Sequence, residues 1–336
     1  MDLVRLGNSG VRVSSLCLGT MMFGGQTDER ASARITGMSR DAGINFIDTA
    51  DVYNEGRSEE VVGRAIKAER SRWILATKLA NAVGKDPTHR GLSRRWAMLA
   101  VEGSLRRLGT DWIDVYYLHR EDHDTPLEET VQAMGDLIRA GKIRYFGLSN
   151  FRGWRIAEVC SICDRLGIPR PAVLQPYYNA LNRMPEVELL PACAYFGLGV
   201  VPYSPVARGV LTGKYLPGAP PPEGTRAGRA DSRMMQTEWR EESLVIAQKI
   251  KEHAAARGIT PSQFAVAWVL NNRLVTAPIV GPRTEEQMRD YLGGMDYRFT
   301  AEDEALVDRL VTTGHPSTPG YNDPNYPVEG RVPRTA

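Results

Sequence analysis

The stretch W-I-D-V-Y-Y-L-H-R-E-D-H-D-T-P-L-E-E-T-V-Q-A-M-G-D-L-I-R-A-G-K-I-R-Y-F-G-L-S, residues 112–149, holds one full unit of the pattern that decides the fold. Trp112–Leu118 and Ile143–Ser149 are short apolar runs that read as buried parallel strands. Between them Leu127–Ala140 carries apolar side chains at helical spacing, and Gly141 stands where a C-terminal cap belongs.

The same alternation extends in both directions. Further apolar runs lie at Leu16–Gly19, Phe46–Asp48, Trp73–Thr77, Ala172–Pro176, Leu198–Tyr203 and Thr276–Val280. Amphipathic segments separate them at Asp28–Ala42, Ser58–Lys67, Ser93–Leu108, Gly153–Leu166, Glu188–Phe196, Ser243–Arg257 and Pro261–Asn272, with Thr284–Leu292 after the last run. Ser58 ahead of Glu59 and Glu60, and Thr260 ahead of Pro261, read as helix starts; Gly167 reads as a helix end.

Eight strands alternating with helices predict an α/β fold, a closed (β/α)8 TIM barrel occupying residues 1–310 as a single domain. An open doubly wound sheet is the competing architecture. No G-x-G-x-x-G follows any strand, and Gly197-Leu198-Gly199 lacks the third glycine. Residues 2–13 read as an N-terminal β-hairpin that plugs one barrel end, turning at Gly7-Asn8-Ser9-Gly10. Residues 205–240, with Pro217, Pro220, Pro221 and Pro222, form a long loop of the kind that is functional or disordered. Residues 311–336, carrying Tyr321 and Tyr326, form a C-terminal tail that either covers the site or hangs free.

Composition narrows the function. Of 336 residues, 42% are hydrophobic and 24% charged, the proportions of a globular protein with a large core. The balance of 42 basic against 40 acidic residues gives no reason to expect nucleic acid or an anionic membrane as partner. No apolar run reaches the roughly 18–20 residues of a membrane span, and M-D-L-V-R-L-G-N-S-G lacks a signal-peptide pattern. Four cysteines are too few for a disulfide scaffold, which predicts a cytoplasmic protein. Monomer and symmetric homo-oligomer both stay open.

In such a barrel, reactive groups sit at the carboxyl ends of strands. Asp48 ends I-N-F-I, Lys78 follows W-I-L-A-T, His119 follows D-V-Y-Y-L, Ser149-Asn150 ends R-Y-F-G-L, and Gln175 sits in A-V-L-Q-P. A buried Lys78 and Asp48 must pair, because either alone would cost several kcal/mol or more; a purely structural salt bridge satisfies the same demand. Tyr53, five residues past Asp48, gives a further use. An adjacent ammonium lowers a phenol's pKa and makes it a general acid toward an oxyanion forming on a carbonyl, while His119 orients that carbonyl.

With these residues in place, the chain resembles the aldo-keto reductase superfamily. The resemblance rests on D-T-A-D-V-Y-N-E-G at 48–56, A-T-K at 76–78, L-H-R at 118–120, G-K-I-R-Y-F-G-L-S-N-F at 141–151, Y-S-P-V-A-R-G-V-L-T-G-K-Y at 203–215 and V-G-P-R-T-E-E-Q at 280–287. It runs in order from the hairpin to about residue 310. It implies an oxidoreductase using NADP(H) on an aldehyde or ketone, with Asp48, Tyr53, Lys78 and His119 as the catalytic four. It also implies that Gly19, Thr20 and Met21 lie near the cofactor. Ser149, Asn150 and Gln175 would hold the nicotinamide carboxamide, and Tyr203 would stack on the ring. Ser204, Pro205, Val206, Arg208, Gly209 and Lys214 would follow the pyrophosphate, with Arg226 closing over the cofactor.

Physical reading places the phosphates in the same region. The loops after the last two barrel strands are the usual phosphate site, and here they hold Arg208, Gly209, Gly213 and Lys214, then Gly281 and Arg283 before a helix N-terminus. Arg283 is the candidate for the 2′-phosphate. In E-E-Q-M-R-D-Y-L, the resemblance implies that Gln287, Asp290 and Tyr291 lie at the adenine end; Tyr291 stands where the family often has Asn, and Asp290 suits a 2′-phosphate only if turned away.

Other signals carry less. Gly209–Lys214 is one residue short of a P-loop. His119 and His123 have metal-pair spacing, but a strand end and Pro126 keep them off a common helical face, so no metal is expected. Cys160 and Cys163 read as buried structural cysteines, as do Cys17 and Cys193. Arg90, Arg120 and Tyr321 point to a polar, sugar-like or acidic substrate. The alternatives to a carbonyl reductase are an NADPH-binding regulatory or sensor subunit with little turnover, and a barrel of unrelated chemistry such as sugar-phosphate isomerisation.

Overall fold

The computed structural model describes residues 1–329. Its chain opens with strands β1 (Leu3–Arg5) and β2 (Arg12–Ser14), paired antiparallel with Val4 opposite Val13. Gly7 at the turn has a φ of +55°, and a Cβ there would lie 2.5 Å from the Gly197 carbonyl oxygen. Only glycine lets the hairpin press this closely onto the barrel. Leu6 and Val13 are fully buried and join the inward-facing Cys17, Phe46, Val115 and Val173 in one cluster. The hairpin therefore stops the barrel at the end opposite the carboxyl ends of its strands.

Eight parallel strands follow, β3 (Cys17–Gly19), β4 (Phe46–Asp48), β5 (Ile74–Leu79), β6 (Ile113–Leu118), β7 (Ile143–Ser149), β8 (Val173–Gln175), β9 (Gly199–Val200) and β10 (Ile279–Val280). From β3 to β9 each pairs with the next, and β10 returns beside β3. Thr276 N donates to Val200 O at 2.8 Å and Ile279 N to Pro202 O at 2.8 Å, which completes the (β/α)8 barrel. At the seam β3 and β10 approach so closely that a Cβ on Gly19 would sit 2.5 Å from Ile279 Cγ2.

The helices are α1 (Glu29–Asp41), α2 (Arg57–Ile66), α3 (Arg94–Leu108), α4 (Leu127–Arg139), α5 (Gly153–Leu166), α6 (Leu189–Phe196), α7 (Ser232–Thr237), α8 (Glu241–Ala256), α9 (Pro261–Asn271), α10 (Glu285–Gly293) and α11 (Ala301–Leu310). Their apolar faces pack on the outer side of the sheet in the main core. Thr260 caps α9 through a capping box with Gln263, and left-handed Gly167 ends α5. Among the described residues no helix is long and apolar enough to cross a membrane.

Four expectations need correction. Ser58 does not cap its helix: α2 starts at Arg57, and the buried Ser58 hydroxyl donates to Thr20 O at 2.8 Å. The last two barrel strands are shorter than their apolar runs, because Pro202 and Pro278 flank them and lack an N–H for the ladder. The 205–240 segment is ordered in part, with a 3-10 turn at Ala207–Thr212 and α7. Finally α11 was not expected, although Thr300 and Asp303 form a capping box at its start.

Candidate active site

The polar strand ends converge at the open end of the barrel. Register sets Gly19 beside Asp48, Asp48 beside Ala76, and Lys78 beside Tyr117. Ala76 and Lys78, two apart on one strand, point to the same face. Lys78 is fully buried and Asp48 nearly so. The Lys78 ammonium donates to Asp48 Oδ1 and to Thr49 O, the latter at 2.7 Å, and Gln175 Nε2 donates to Asp48 Oδ2 at 2.9 Å. Both carboxylate oxygens are thus occupied. Burial pushes Asp48 up, against the pull of Lys78. Burial would lower the Lys78 ammonium, but Asp48 and Tyr53 outweigh it and hold its pKa above the ordinary value.

Tyr53 sits at the start of a turn whose next residues, Asn54 and Glu55, have φ of 49° and 59°. The Asn54 side chain donates to Met21 O at 2.9 Å and Phe23 O at 2.8 Å, fixing this turn against the loop after β3. The Tyr53 ring centroid lies 4.9 Å from Lys78 Nζ and 6.0 Å from that of His119. The expected lowering of its pKa is not seen. Burial raises the phenol above its ordinary value by more than Lys78 lowers it, so the group is a fully protonated donor at neutral pH.

His119, the residue after β6, is held well below its ordinary pKa by burial and by the charges of Lys78 and Arg120. Its ring is neutral. Asn81 Nδ2 lies 3.0 Å from His119 Nδ1. Sequence reading missed Asn81, because its contact depends on Ala80, whose φ of 125° is a conformation that favours glycine.

Three expected carboxamide-holding residues form one wall. Ser149 Oγ donates to Gln175 O at 2.9 Å. Asn150, left-handed with a φ of 56°, donates from Nδ2 to His119 O at 2.9 Å and accepts at Oδ1 from Tyr203 OH at 2.8 Å. Tyr203 also stacks on Tyr177, with centroids 5.6 Å apart. Thr20 is tied to Asp48 O through its hydroxyl at 2.9 Å, while Gly19 and Met21 beside it border the cavity.

That cavity has a volume of about 530 Å³ and runs from Tyr53 and His119 to Arg283 and Tyr291. Pro205, Val206, Gly209 and Gly281 also border it. Ser204, Ala207 and Arg208 all have positive φ, near 50–60°. Arg208 donates to Thr237 Oγ1 at 3.1 Å and lies 3.9 Å from the buried carboxylate of Glu238. Arg226 pairs with Asp231 at 3.0 Å, and the Lys214 ammonium lies over Gly209, where a Cβ would be 3.3 Å from it. Gln287 Oε1 accepts from Arg283 N at 2.8 Å and so shapes that loop. Asp290 accepts from Thr260 Oγ1 at 2.6 Å, and Tyr291 is buried at the cavity edge.

The segment after α11 runs across the opening. Asp323 forms a two-point pair with Arg233 at 2.6 and 2.9 Å, Arg152 donates to Pro327 O at 3.0 Å, and Asn325 and Tyr326 border the cavity. Residues 330–336 of the expected tail lie outside the described residues. His123 is turned elsewhere, with Nδ1 3.0 Å from Arg155 Nη1. Cys160 and Cys163 are buried and free, their thiols pushed up by burial to about 11 and about 12.

The donor set suits a long anionic nucleotide at one end and a carbonyl at the other: positive-φ backbone with Arg and Lys on the last two loops, and protonated phenol, neutral imidazole and ammonium at the centre. Comparison with known proteins agrees in kind. The model of the Aldo/keto reductase family matches residues 15–312. A probable voltage-gated potassium channel subunit beta of Oryza sativa subsp. japonica is 38% identical over 96% of this chain and 100% of its own. An uncharacterized oxidoreductase of Bacillus subtilis is 38% identical over 90% of this chain and 93% of its own. A versiconal hemiacetal acetate reductase of Aspergillus parasiticus is 34% identical over 94% of this chain and 99% of its own.

Proposed function

The chain belongs to the aldo/keto reductase family, and from that premise we propose that it reversibly reduces an aldehyde or ketone to the alcohol with NADPH. The observation that carries this reading is the meeting of Asp48, Tyr53, Lys78 and His119 at one end of a cavity whose other end is lined with cations. Bound NADPH would supply the hydride to the carbonyl carbon. Tyr53 gives its phenolic proton to the carbonyl oxygen as negative charge develops there. Lys78 stabilises the resulting phenolate, and Asp48, anchored by Gln175, keeps that ammonium charged and in place. His119 donates a hydrogen bond that orients the carbonyl.

Ser149, Asn150 and Gln175 border the nicotinamide end, with Tyr203 as the stacking surface. Ser204–Gly209, Lys214 and Arg226 take the pyrophosphate, and Arg283 takes the 2′-phosphate that separates NADP from NAD. Asp290, drawn to Thr260, and Tyr291 face the adenine side. Residues 1–310 form one barrel domain and residues 311–329 cover its mouth. Four free, buried cysteines fit a cytoplasmic location.

The test is NADPH oxidation by the purified protein with a panel of simple aldehydes and ketones. Turnover with NADPH preferred over NADH is expected; NADPH binding with no turnover of any carbonyl would contradict the reading. A second reading is favoured by the relatives named as potassium channel beta subunits: an NADPH-binding regulatory subunit with little turnover. Slow turnover together with stable co-purification of another protein would select it.

A further inference from the structure

The cavity carries one cation more than the proposed cofactor accounts for. The arginines and the lysine that line it divide in two. Arg208, Arg226 and Arg233 already face carboxylates, on Glu238, Asp231 and Asp323. Lys214, Arg229, Arg283 and Arg120 lie beside the same cavity, and none has a carboxylate within 4 Å among the described residues.

Of these four, three belong to the nucleotide end. Lys214 packs over Gly209, and Arg229 and Arg283 converge on Gln26, at 3.1 and 3.3 Å. Arg120 is different. It follows His119 directly on the loop after β6, its charge acts on both His119 and Tyr326, and it is exposed with no hydrogen bond to any described residue. The other groups at that end are the amides of Asn81 and Asn325 and the phenol of Tyr326. Arg90 is exposed and does not border the cavity, while Tyr321 lies under Arg240, whose guanidinium is 3.8 Å from its ring centroid.

We propose that Arg120 is the anion-recognising residue of the substrate site, and that the substrate is a small aldehyde or ketone carrying a carboxylate. A guanidinium beside the reaction centre, with a polar rim and no carboxylate within 4 Å among the described residues, matches that group in charge and in two-point geometry. The proposal rests on the carbonyl-reductase reading for its carbonyl, but Arg120 can be tested apart from turnover. Because Arg120 makes no hydrogen bond or ion pair among the described residues, replacing it removes none of those contacts.

The experiment compares matched pairs. In turnover with NADPH, kcat/KM for 4-carboxybenzaldehyde should exceed that for benzaldehyde about tenfold or more, and Arg120→Gln should bring the ratio close to one. Arg120→Glu should reverse it. In equilibrium binding to the NADP⁺-saturated protein, benzoate should bind about tenfold more tightly than benzamide, with the difference lost in Arg120→Gln. Turnover of both aldehydes with no preference for the acid overturns the assignment of Arg120 and leaves the reaction standing. Equal binding of benzoate and benzamide by the unmodified protein overturns it even if no aldehyde is reduced.

Discussion

Asn81 donates from Nδ2 to His119 Nδ1 at 3.0 Å, which fixes the single proton of the neutral imidazole on Nε2. In the proposed reaction Nε2–H is the group that meets the carbonyl oxygen. Replacing Asn81 with Asp puts an acceptor opposite Nδ1 and draws the proton there. Asn81→Asp should therefore lose ten- to a hundredfold in kcat/KM, with ¹⁵N shifts of the ring reporting the exchanged tautomer. A variant with full activity and an Nδ1-protonated ring would contradict the role given to His119.

The Asp48–Lys78 pair is buried from water on both sides. Lys78→Met leaves a carboxylate whose main counter-charge is gone, and the loss in unfolding free energy should be about 3–5 kcal/mol. In the double variant Asp48→Asn, Lys78→Met most of that loss should return. Chemical denaturation of the four proteins completes the cycle; strict additivity would show that the two residues do not act as a pair.

Acid and base limbs of the reaction follow from two shifts. Tyr53 is raised above 10 and remains protonated, while His119 lies well below 6.5 and remains neutral. Reduction should then be flat from about pH 6.5 to 9 and fall only as Tyr53 loses its proton above 10. A kcat/KM profile with a limb near 6.5 would mean that His119 titrates as an exposed imidazole.

Asp51 is buried with neither carboxylate oxygen hydrogen-bonded to a described side chain or backbone group, and burial, with Glu59 beside it, raises its pKa well above the ordinary value. The folded protein holds a proton that the unfolded chain releases above pH 4, so this group costs stability increasingly as pH rises toward its folded value. Asp51→Asn removes the dependence. Its advantage in unfolding free energy over the unmodified protein should grow from pH 4 to pH 8, reaching about 1–3 kcal/mol; a constant difference would contradict the protonated state.

The barrel was legible because its strands are short apolar runs, and four polar residues at or beside their carboxyl ends, Asp48, Lys78, His119 and Gln175, are residues that meet. Ile143–Ser149 and Gly153–Leu166 match the sequence boundaries residue for residue. What was hidden depends on tertiary contact. Gln175 reaches Asp48 across 127 positions, and Asn81 reaches His119 only through a strained Ala80. The sign of the Tyr53 shift depends on how far the ring is buried, which a strand-end pattern does not encode. Helix α11 did have a local signal, the Thr300–Asp303 capping box, set in a segment too short and polar for its apolar stripe to stand out.

The central claim is that the Tyr53 phenol protonates the carbonyl oxygen. Its most direct test is Tyr53→Phe, followed by NADPH oxidation with the best aldehyde and by fluorescence titration with NADPH. A fall of at least about a hundredfold in kcat/KM, with NADPH affinity within twofold of the unmodified protein, is the predicted result. Turnover within tenfold of the unmodified protein would contradict it.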